Sequence, residues 1–264
     1  LYDSLITTFG SVGTGGLSNY SDSIGHFDST YLRMVVTGFM FLCGVNFNLY
    51  YLSAKHGIKV LLKDSEFRVY FLIFAISSLF IFAMLMISGQ YESSGSALSD
   101  SVFQVSSILT TTGFITADYE TWPIVCQVVL LFLMFVGGCS SSTGGGLKVI
   151  RIMVLFKLIK RGISTRLHPN VVESVKLDGE NITNDTASAI VSHAFLYVIM
   201  VFVGAFIISF ENADLITCFS SVITCIGNVG PGLGAVGPVD NFGVLSDLSL
   251  YTLSVYMLAG RLEL

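Results

Sequence analysis

Three glycine- and threonine-rich segments recur along the chain, and their residue types suit them to bind a dehydrated cation through backbone oxygens. They are Gly13-Thr14-Gly15-Gly16-Leu17, Thr110-Thr111-Thr112-Gly113-Phe114 and Gly227-Asn228-Val229-Gly230-Pro231. Glycine adopts backbone angles with φ > 0, which lets consecutive carbonyl oxygens point the same way. Rings of such carbonyls can replace the hydration shell of a cation, whose transfer into hydrocarbon would otherwise cost tens of kcal/mol. One such loop cannot enclose an ion, but three or four around an axis could.

Each of these segments follows a short apolar run, at residues 1–9, 101–109 and 213–224. Runs of this length are too short to cross about 30 Å of hydrocarbon, so we expect re-entrant helices. A helix that ends at the glycine turn directs the negative end of its dipole there, which favours a cation. The alternative is a plain surface turn between short helices. Three turns in the same register favour the first interpretation, because irregular backbone at membrane depth must be buried or line a water-filled cavity.

The composition indicates a membrane protein. The chain has 264 residues, of which 53% are hydrophobic and 12% are charged, whereas a soluble domain has about 25% charged residues. The mean hydropathy is +0.76. These values argue against a soluble enzyme, a disordered chain and a disulfide scaffold. We predict membrane spans at residues 31–52, 67–88, 122–137 continued by 147–159, 187–209 and 248–264, each close to the roughly 20 residues that a spanning helix needs.

The charges segregate between the loops. Residues 1–32, 90–121 and 210–249 hold eleven acidic side chains and no Lys or Arg, whereas residues 53–68 and 146–186 are rich in both bases. By the positive-inside rule, the basic loops face the cytoplasm. The acidic loops then face outward, where they either attract cations or accumulate for lack of any constraint against them.

Two features within the apolar segments indicate a gate. Residues 138–146 combine glycine, serine and threonine, which cannot sustain a helix in lipid, since each glycine costs about 1 kcal/mol relative to alanine. Such a loop has low local stability and can move. Arg261 lies within the last predicted span, and an intramembrane arginine is functional by default; the alternative is that it pairs with Glu263 or a loop carbonyl for helix packing. For Lys148 and Arg151, we favour side chains that reach out to the membrane surface.

These residues resemble the TrkH-type potassium transporters of the Trk/Ktr/HKT superfamily. The resemblance is carried by TTTGFITAD at residues 110–118 with Trp122-Pro123, by GGCSSSTGGGLKVIR at 137–151, and by NVGPGLG at 228–234. It is carried further by TGGLS at 14–18, by GRLE at 260–263 and by the linker at 168–182. Together these motifs cover nearly the whole chain.

The resemblance implies an all-α integral membrane protein. Repeated units of helix, re-entrant pore helix, filter loop and helix would surround a central ion pore. Residues 1–65 would be part of the second repeat, 66–164 the third repeat with its interrupted second helix, 165–186 a cytoplasmic linker, and 187–264 most of the fourth repeat. Because the family has four repeats in one subunit, we expect the chain to be part of a longer protein.

The resemblance also implies roles for individual residues. The filter would comprise three glycines and the residues just before them: Thr14, Gly15, Gly16, Thr111, Thr112, Gly113, Asn228, Val229 and Gly230. The gate would comprise Gly138, Ser140, Ser141, Ser142, Thr143, Gly144, Gly145, Gly146 and Arg261, with Lys148 flanking it.

Potassium would be the transported ion, held only at the filter residues, because a glycine at each filter position accompanies potassium preference in this family. The resemblance further implies no organic cofactor and no enzymatic activity. A homodimer in a bacterial or archaeal inner membrane would contact lipid and a cytosolic nucleotide-binding regulatory subunit of the TrkA type, and would bind no nucleic acid. Channel and coupled symport both stay open.

A second class of function remains, namely a polytopic membrane enzyme or receptor whose glycine loops bind a small ligand. Residues 232–237 fit the dinucleotide pattern G-x-G-x-x-G, but Pro238 follows in place of a helix. Residues 138–148 are reminiscent of a phosphate loop, but Leu147 precedes Lys148 where that motif needs glycine. Potassium uptake by a potassium-requiring strain separates the two classes.

Overall fold

The computed structural model describes residues 1–168 and 174–262, and this part of the chain is mostly helical. The helices of the first half are α1 (Tyr2–Val12), α2 (Thr30–Cys43), α3 (Phe47–His56), α4 (Lys59–Lys63), α5 (Ser65–Ser88) and α6 (Ser94–Leu109). Those of the second half are α7 (Ile124–Val136), α8 (Val149–Leu167), α9 (Asn184–Ser209), α10 (Leu215–Gly227) and α11 (Asp247–Leu262). Strands β1 (Lys176–Leu177) and β2 (Glu180–Asn181) form an antiparallel hairpin between α8 and α9.

Two helices, α5 and α9, are long and apolar enough to cross a membrane, and a third crossing is counted if α2 and α3 form one bent span. The side chains of α5 show why the helix suits lipid: Phe71, Leu72, Ile76 and Leu79 are all exposed at the protein surface. Side-chain caps begin both helices, because Asp64 accepts the N–H of Phe67 and Thr183 accepts the N–H of Thr186. These boundaries agree with the predicted spans at 67–88 and 187–209 to within three residues.

The prediction of one continuous helix over residues 31–52 is wrong. The chain bends by 88° between α2 and α3. Gly44 lies against the hydroxyl of Tyr70, and Asn46 caps α3 by accepting the N–H of Asn48 at 2.9 Å. A residue that caps the first turn of a new helix also marks the end of the previous helix. A hydropathy profile does not detect such a cap.

Short helices occur before all three glycine turns, as predicted, although their lengths differ from the apolar runs. α1 and α10 have 11 and 13 residues, whereas α6 begins at Ser94 and has 16. α6 packs against α5 and α2, and α10 packs against α9 and α11. Each of these two short helices therefore packs against the long helix that precedes it in the chain, as the repeated unit requires.

The break at residues 138–146 is confirmed. α7 ends at Val136 and α8 begins at Val149, with Gly137 and Gly146 both at φ > 0. The last predicted span corresponds to α11. Residues 169–173 and 263–264 lie outside the described part of the chain. Part of the predicted linker and the alternative pairing of Arg261 with Glu263 therefore also lie outside it.

Candidate functional site

The three glycine turns share one backbone conformation. Each has a residue in the left-handed region within two positions of the end of a short helix, namely Thr14 (φ 48°), Thr111 (φ 57°) and Asn228 (φ 54°). Two residues later comes the predicted filter glycine, again at positive φ: Gly16 (59°), Gly113 (85°) and Gly230 (117°). Side chains rarely adopt these angles, so the glycines are required by the conformation of the turn.

The turns are also hydrogen-bonded in the same register. The middle residue of each donates its N–H to the carbonyl oxygen five residues earlier, at 2.9 Å in all three turns. The pairs are Gly15 to Gly10, Thr112 to Ser107, and Val229 to Thr224. Equivalent bonds and equivalent signs of φ show that these are three copies of one structural unit.

The filter glycines place the turns against one another. A Cβ atom on Gly16 would overlap the carbonyl oxygen of Thr112, and a Cβ atom on Gly113 would overlap the carbonyl oxygen of Val229. The first turn therefore rests on the second and the second on the third, each through the carbonyl just before the next filter glycine. The resulting arc brings backbone oxygens of three repeats close to a common axis.

Side-chain hydroxyl groups of the preceding helices stabilise two of the three turns through hydrogen bonds. The sequence interpretation missed them. Ser107 donates to the carbonyl oxygen of Phe114 at 2.6 Å, and Thr224 donates to that of Pro231 at 3.0 Å. Both hydroxyls lie six residues before a filter glycine and reach the residue just after it. The equivalent position in the first turn is Gly10, which has no side chain to make this bond. The constant offset from the filter glycine was the signal that could have revealed this pair.

The turns line an open cleft of about 970 Å³. Its walls include Thr14, Gly15 and Gly16 of the first turn, Gly113 of the second, and Asn228, Val229 and Gly230 of the third. Thr111 and Thr112 were predicted as carbonyl donors beside them. These two threonines are 1% exposed and pack between the cleft and the loop at residues 138–146, hereafter the gating loop.

The gating loop is hydrogen-bonded directly to the filter turns. Gly145 donates its N–H to the hydroxyl of Thr111 at 2.6 Å. The hydroxyl of Thr14 lies 2.9 Å from the carbonyl oxygen of Thr143 and 2.8 Å from that of its neighbour Gly13. A Cβ atom on Gly145 would overlap the carbonyl oxygen of Gly227, at the end of α10. The loop thus touches all three turns, which places it at the same axis as the filter.

Two basic side chains bind consecutive carbonyls of this loop. Arg261 donates to the carbonyl oxygen of Thr143 at 2.9 Å, and Lys148 donates to that of Gly144. The gating-loop residues from Ser142 onward line a cavity of about 180 Å³ with these side chains. Lys148 is 5% exposed, so the expectation that it reaches the membrane surface is wrong. Arg261 also lines the large cleft. It therefore binds a loop carbonyl and lies beside the axis at the same time.

The far side of the gating loop rests on the bend between α2 and α3. Cys139 donates its N–H to the carbonyl oxygen of Gly44 at 2.8 Å, and Phe47 donates to that of Ser141 at 3.3 Å. Asn46 donates to the hydroxyl of Ser140 at 3.2 Å. The bend that hydropathy did not predict therefore forms the seat of the loop.

A second partly buried arginine, at the start of α2, escaped the sequence interpretation. Arg33, in the first turn of α2, forms an ion pair with Asp100 of α6 at 3.6 Å, and Tyr91 donates to the same carboxylate at 3.0 Å. The pair joins a helix of the first unit to the pore helix of the second. An arginine directly beside a loop otherwise free of bases was the available signal.

The acidic loops place carboxylates around the cleft. Tyr119 donates to the carbonyl oxygen of Gly232 at 2.9 Å, which joins the loop after the second turn to the loop after the third. Beside it, partial burial raises the pKa of Glu120, and the neighbouring charges of Asp118 and Asp240 raise it further. Asp240 lines the cleft itself.

Comparison with known proteins decides the family. The family model described as "TrkH: Cation transport protein" matches residues 1–264. This chain belongs to the TrkH family. It is 34% identical to the Trk system potassium uptake protein TrkH of Escherichia coli strain K12 over 267 residues, and 35% identical to TrkG of that strain over 266.

The structural match is equally extensive. The crystal structure of the potassium transporter TrkH from Vibrio parahaemolyticus superposes with a TM-score of 0.93 at 33% identity, covering 99% of this chain. The chain spans about half the length of these relatives, namely 54% of the two Escherichia coli proteins and 56% of the Vibrio chain. Membership of the TrkH family confirms the resemblance drawn from the filter and gating-loop motifs and the all-α membrane fold expected from it.

Proposed function

We propose that this TrkH-family chain forms part of a pathway for potassium uptake across the cell membrane. The observation that supports this most directly is the contact series from Gly16 to the carbonyl of Thr112 and from Gly113 to the carbonyl of Val229. Carbonyl oxygens held at one axis by left-handed turns can replace the water around a monovalent cation. The relatives named for potassium uptake support potassium as the ion.

The filter in this proposal consists of Thr14, Gly15, Gly16, Thr111, Thr112, Gly113, Asn228, Val229 and Gly230. Potassium enters through the acidic outer loops, sheds water at these backbone oxygens and meets Arg261, whose fixed charge lowers cation occupancy beyond the filter. The gating loop closes the pathway next to Arg261. The three helices that end at the turns direct partial negative charge to the same point.

The surrounding assembly is also part of the proposal. The basic segments at 53–68 and 146–186 face the cytoplasm, where a nucleotide-binding regulatory subunit of the TrkA type or anionic lipid could contact them. The protein would act as a homodimer in an inner membrane, with repeats at residues 1–65, 66–164 and 187–264 and a cytoplasmic linker at 165–186. It would carry potassium without an organic cofactor and would perform no catalysis.

Potassium uptake by the full-length protein in a potassium-requiring strain tests this function. Growth at limiting potassium should depend on the protein, and Gly113→Ser should abolish it, since its side chain would displace the carbonyl of Val229. Gly162→Ser is the matched control, because open space surrounds the position that a Cβ atom on Gly162 would occupy. Uptake that is absent from the wild type, or equal in both variants at equal membrane abundance, would refute the proposal.

A further inference from the structure

Glu66 is a buried acidic residue that neither the filter nor the predicted gate includes. It lies in the first turn of α5 and is 4% exposed. One carboxylate oxygen accepts the N–H of Ser140 at 2.6 Å, and the other accepts the hydroxyl of Ser140 at 2.7 Å. The first oxygen also accepts the N–H of Ile150 at 3.2 Å.

These partners lie at the two ends of the break between α7 and α8. Ser140 belongs to the gating loop, and Ile150 belongs to the first turn of α8. A single carboxylate therefore bridges the start of the loop and the helix that follows it. The N–H of Ile150 is one of the unpaired donors at a helix N-terminus, where a negative charge is stabilising.

Hydrogen bonds to a carboxylate are stronger than those between neutral groups. A gating loop that moves away from the filter must carry Ser140 away from Glu66, and both bonds to Ser140 then break together. Once separated, the buried carboxylate would lack compensation for its lost hydration. The closed loop is therefore favoured by the charge and by the bond geometry.

We propose that Glu66 is a positioning residue that holds the gating loop closed against the filter. Its effect on transport rests on the proposed function, because only a conducting pathway can be gated. Its effect on the loop does not, and the loop can be followed separately through Cys139, a free cysteine within it that is 0% exposed.

The test measures alkylation of Cys139 in the full-length protein in membranes, with Cys43, Cys126, Cys218 and Cys225 replaced by alanine. Glu66→Ala should speed labelling about tenfold or more, since it removes three bonds to a charged acceptor. Glu66→Gln should give an intermediate rate, because its amide oxygen still accepts N–H groups but carries no charge. Glu180→Ala, an exposed acidic position in the hairpin, is the matched control and should leave the rate unchanged.

A second pair of variants separates positioning from general stability. Ser140→Ala should speed labelling in the wild-type background and add less in the Glu66→Ala background, because there the bond to Glu66 is already absent and only the bond from Asn46 remains to be lost. Folded Glu66→Ala protein that labels at the wild-type rate would overturn the proposal. Should Glu66→Ala fail to fold, Glu66→Gln and Ser140→Ala decide it, and wild-type labelling in both would also overturn it.

Transport measurements keep this proposal distinct from the previous one. Faster labelling of Glu66→Ala with unchanged ion flux from Gly113→Ser would refute the potassium pathway and leave the role of Glu66 in the loop intact. Normal labelling of Glu66→Ala with flux abolished by Gly113→Ser would refute the role of Glu66 in the loop and support the potassium pathway.

Discussion

The hydroxyl of Thr14, the first residue of one filter turn, lies 2.9 Å from the carbonyl oxygen of Thr143 in the gating loop. The two residues are separated by 129 positions in the chain, and their contact joins the filter to the gate without an intermediate. Arg261 binds the same carbonyl oxygen. Thr143 is therefore where the filter, the gate and the intramembrane arginine converge.

Removal of the Thr14 hydroxyl should favour the open gate. Thr14→Val loses a bond that contributes about 0.5–1.5 kcal/mol, so basal potassium flux should rise about two- to tenfold. Flux from proteoliposomes is the measurement. Thr8→Val is the control, since its hydroxyl binds the carbonyl of Ser4 within α1. Equal flux from Thr14→Val and wild type would show that this contact does not hold the gate.

Neighbouring glycines of the first turn should differ sharply in their tolerance of a methyl group. Gly16→Ala should abolish selective uptake, because its Cβ would overlap the carbonyl of Thr112 and φ is 59°. Gly15→Ala should retain uptake, since nothing lies within 4 Å of its Cβ position. Uptake assays at equal membrane abundance compare the two. Similar uptake by both variants would contradict the packing of the turns.

Ser107 should be needed for a selective filter. Ser107→Ala leaves the carbonyl of Phe114 without this buried donor, at a cost of about 1–3 kcal/mol, and we expect a lower ratio of potassium to sodium permeability. The ratio follows from reversal potentials in bilayers. Ser101→Ala on the same helix is the control, because its hydroxyl binds only the carbonyl of Leu98 among the described hydrogen bonds. An unchanged ratio in Ser107→Ala would exclude this role.

Loss of the positive charge at Arg261, or of the loop that it binds, should increase flux. Arg261→Ala removes both the barrier to cations and the bond to Thr143, and deletion of residues 140–144 should leave the pathway leaky. Arg261→Lys should lie between wild type and Arg261→Ala, because it keeps the charge without the planar donor geometry. Lower single-channel current in both Arg261→Ala and the deletion variant would show that the gate is elsewhere.

Glu211 should stabilise the start of α11 in a pH-dependent manner. Partial burial of its carboxyl is outweighed by hydrogen bonds from Ser246 and Ser249, which lower the pKa of Glu211. The group therefore contributes stability above its unfolded pKa of about 4.3, and this contribution is lost as the pH falls through the folded value. Glu211→Gln should lower the unfolding temperature of the purified protein at pH 7, and the difference should shrink below about pH 4. A difference independent of pH would assign the effect to packing alone.

The periodic features of this chain could be predicted from its sequence, whereas the contacts between repeats could not. Hydropathy located α5 and α9, and the repeated glycine segments located three turns of one conformation, because both are determined by residues close in sequence. The bend at Gly44 depends on a gating loop about a hundred residues later, and hydropathy averages over the cap at Asn46. Lys148 was misinterpreted for a similar reason: its partner is a carbonyl made accessible only by the break in the helix.

The contacts of the filter glycines have a direction. Gly16 presses on the turn of the second repeat and Gly113 on that of the third, whereas a Cβ atom on Gly230 would meet Gly113 of the second turn only at an ordinary contact distance of 3.8 Å. The order of the turns along the chain is therefore also their order around the proposed pore. A side chain added at Gly16 or Gly113 would therefore distort its own turn and the next turn along the chain, whereas one added at Gly230 would leave the second turn in place.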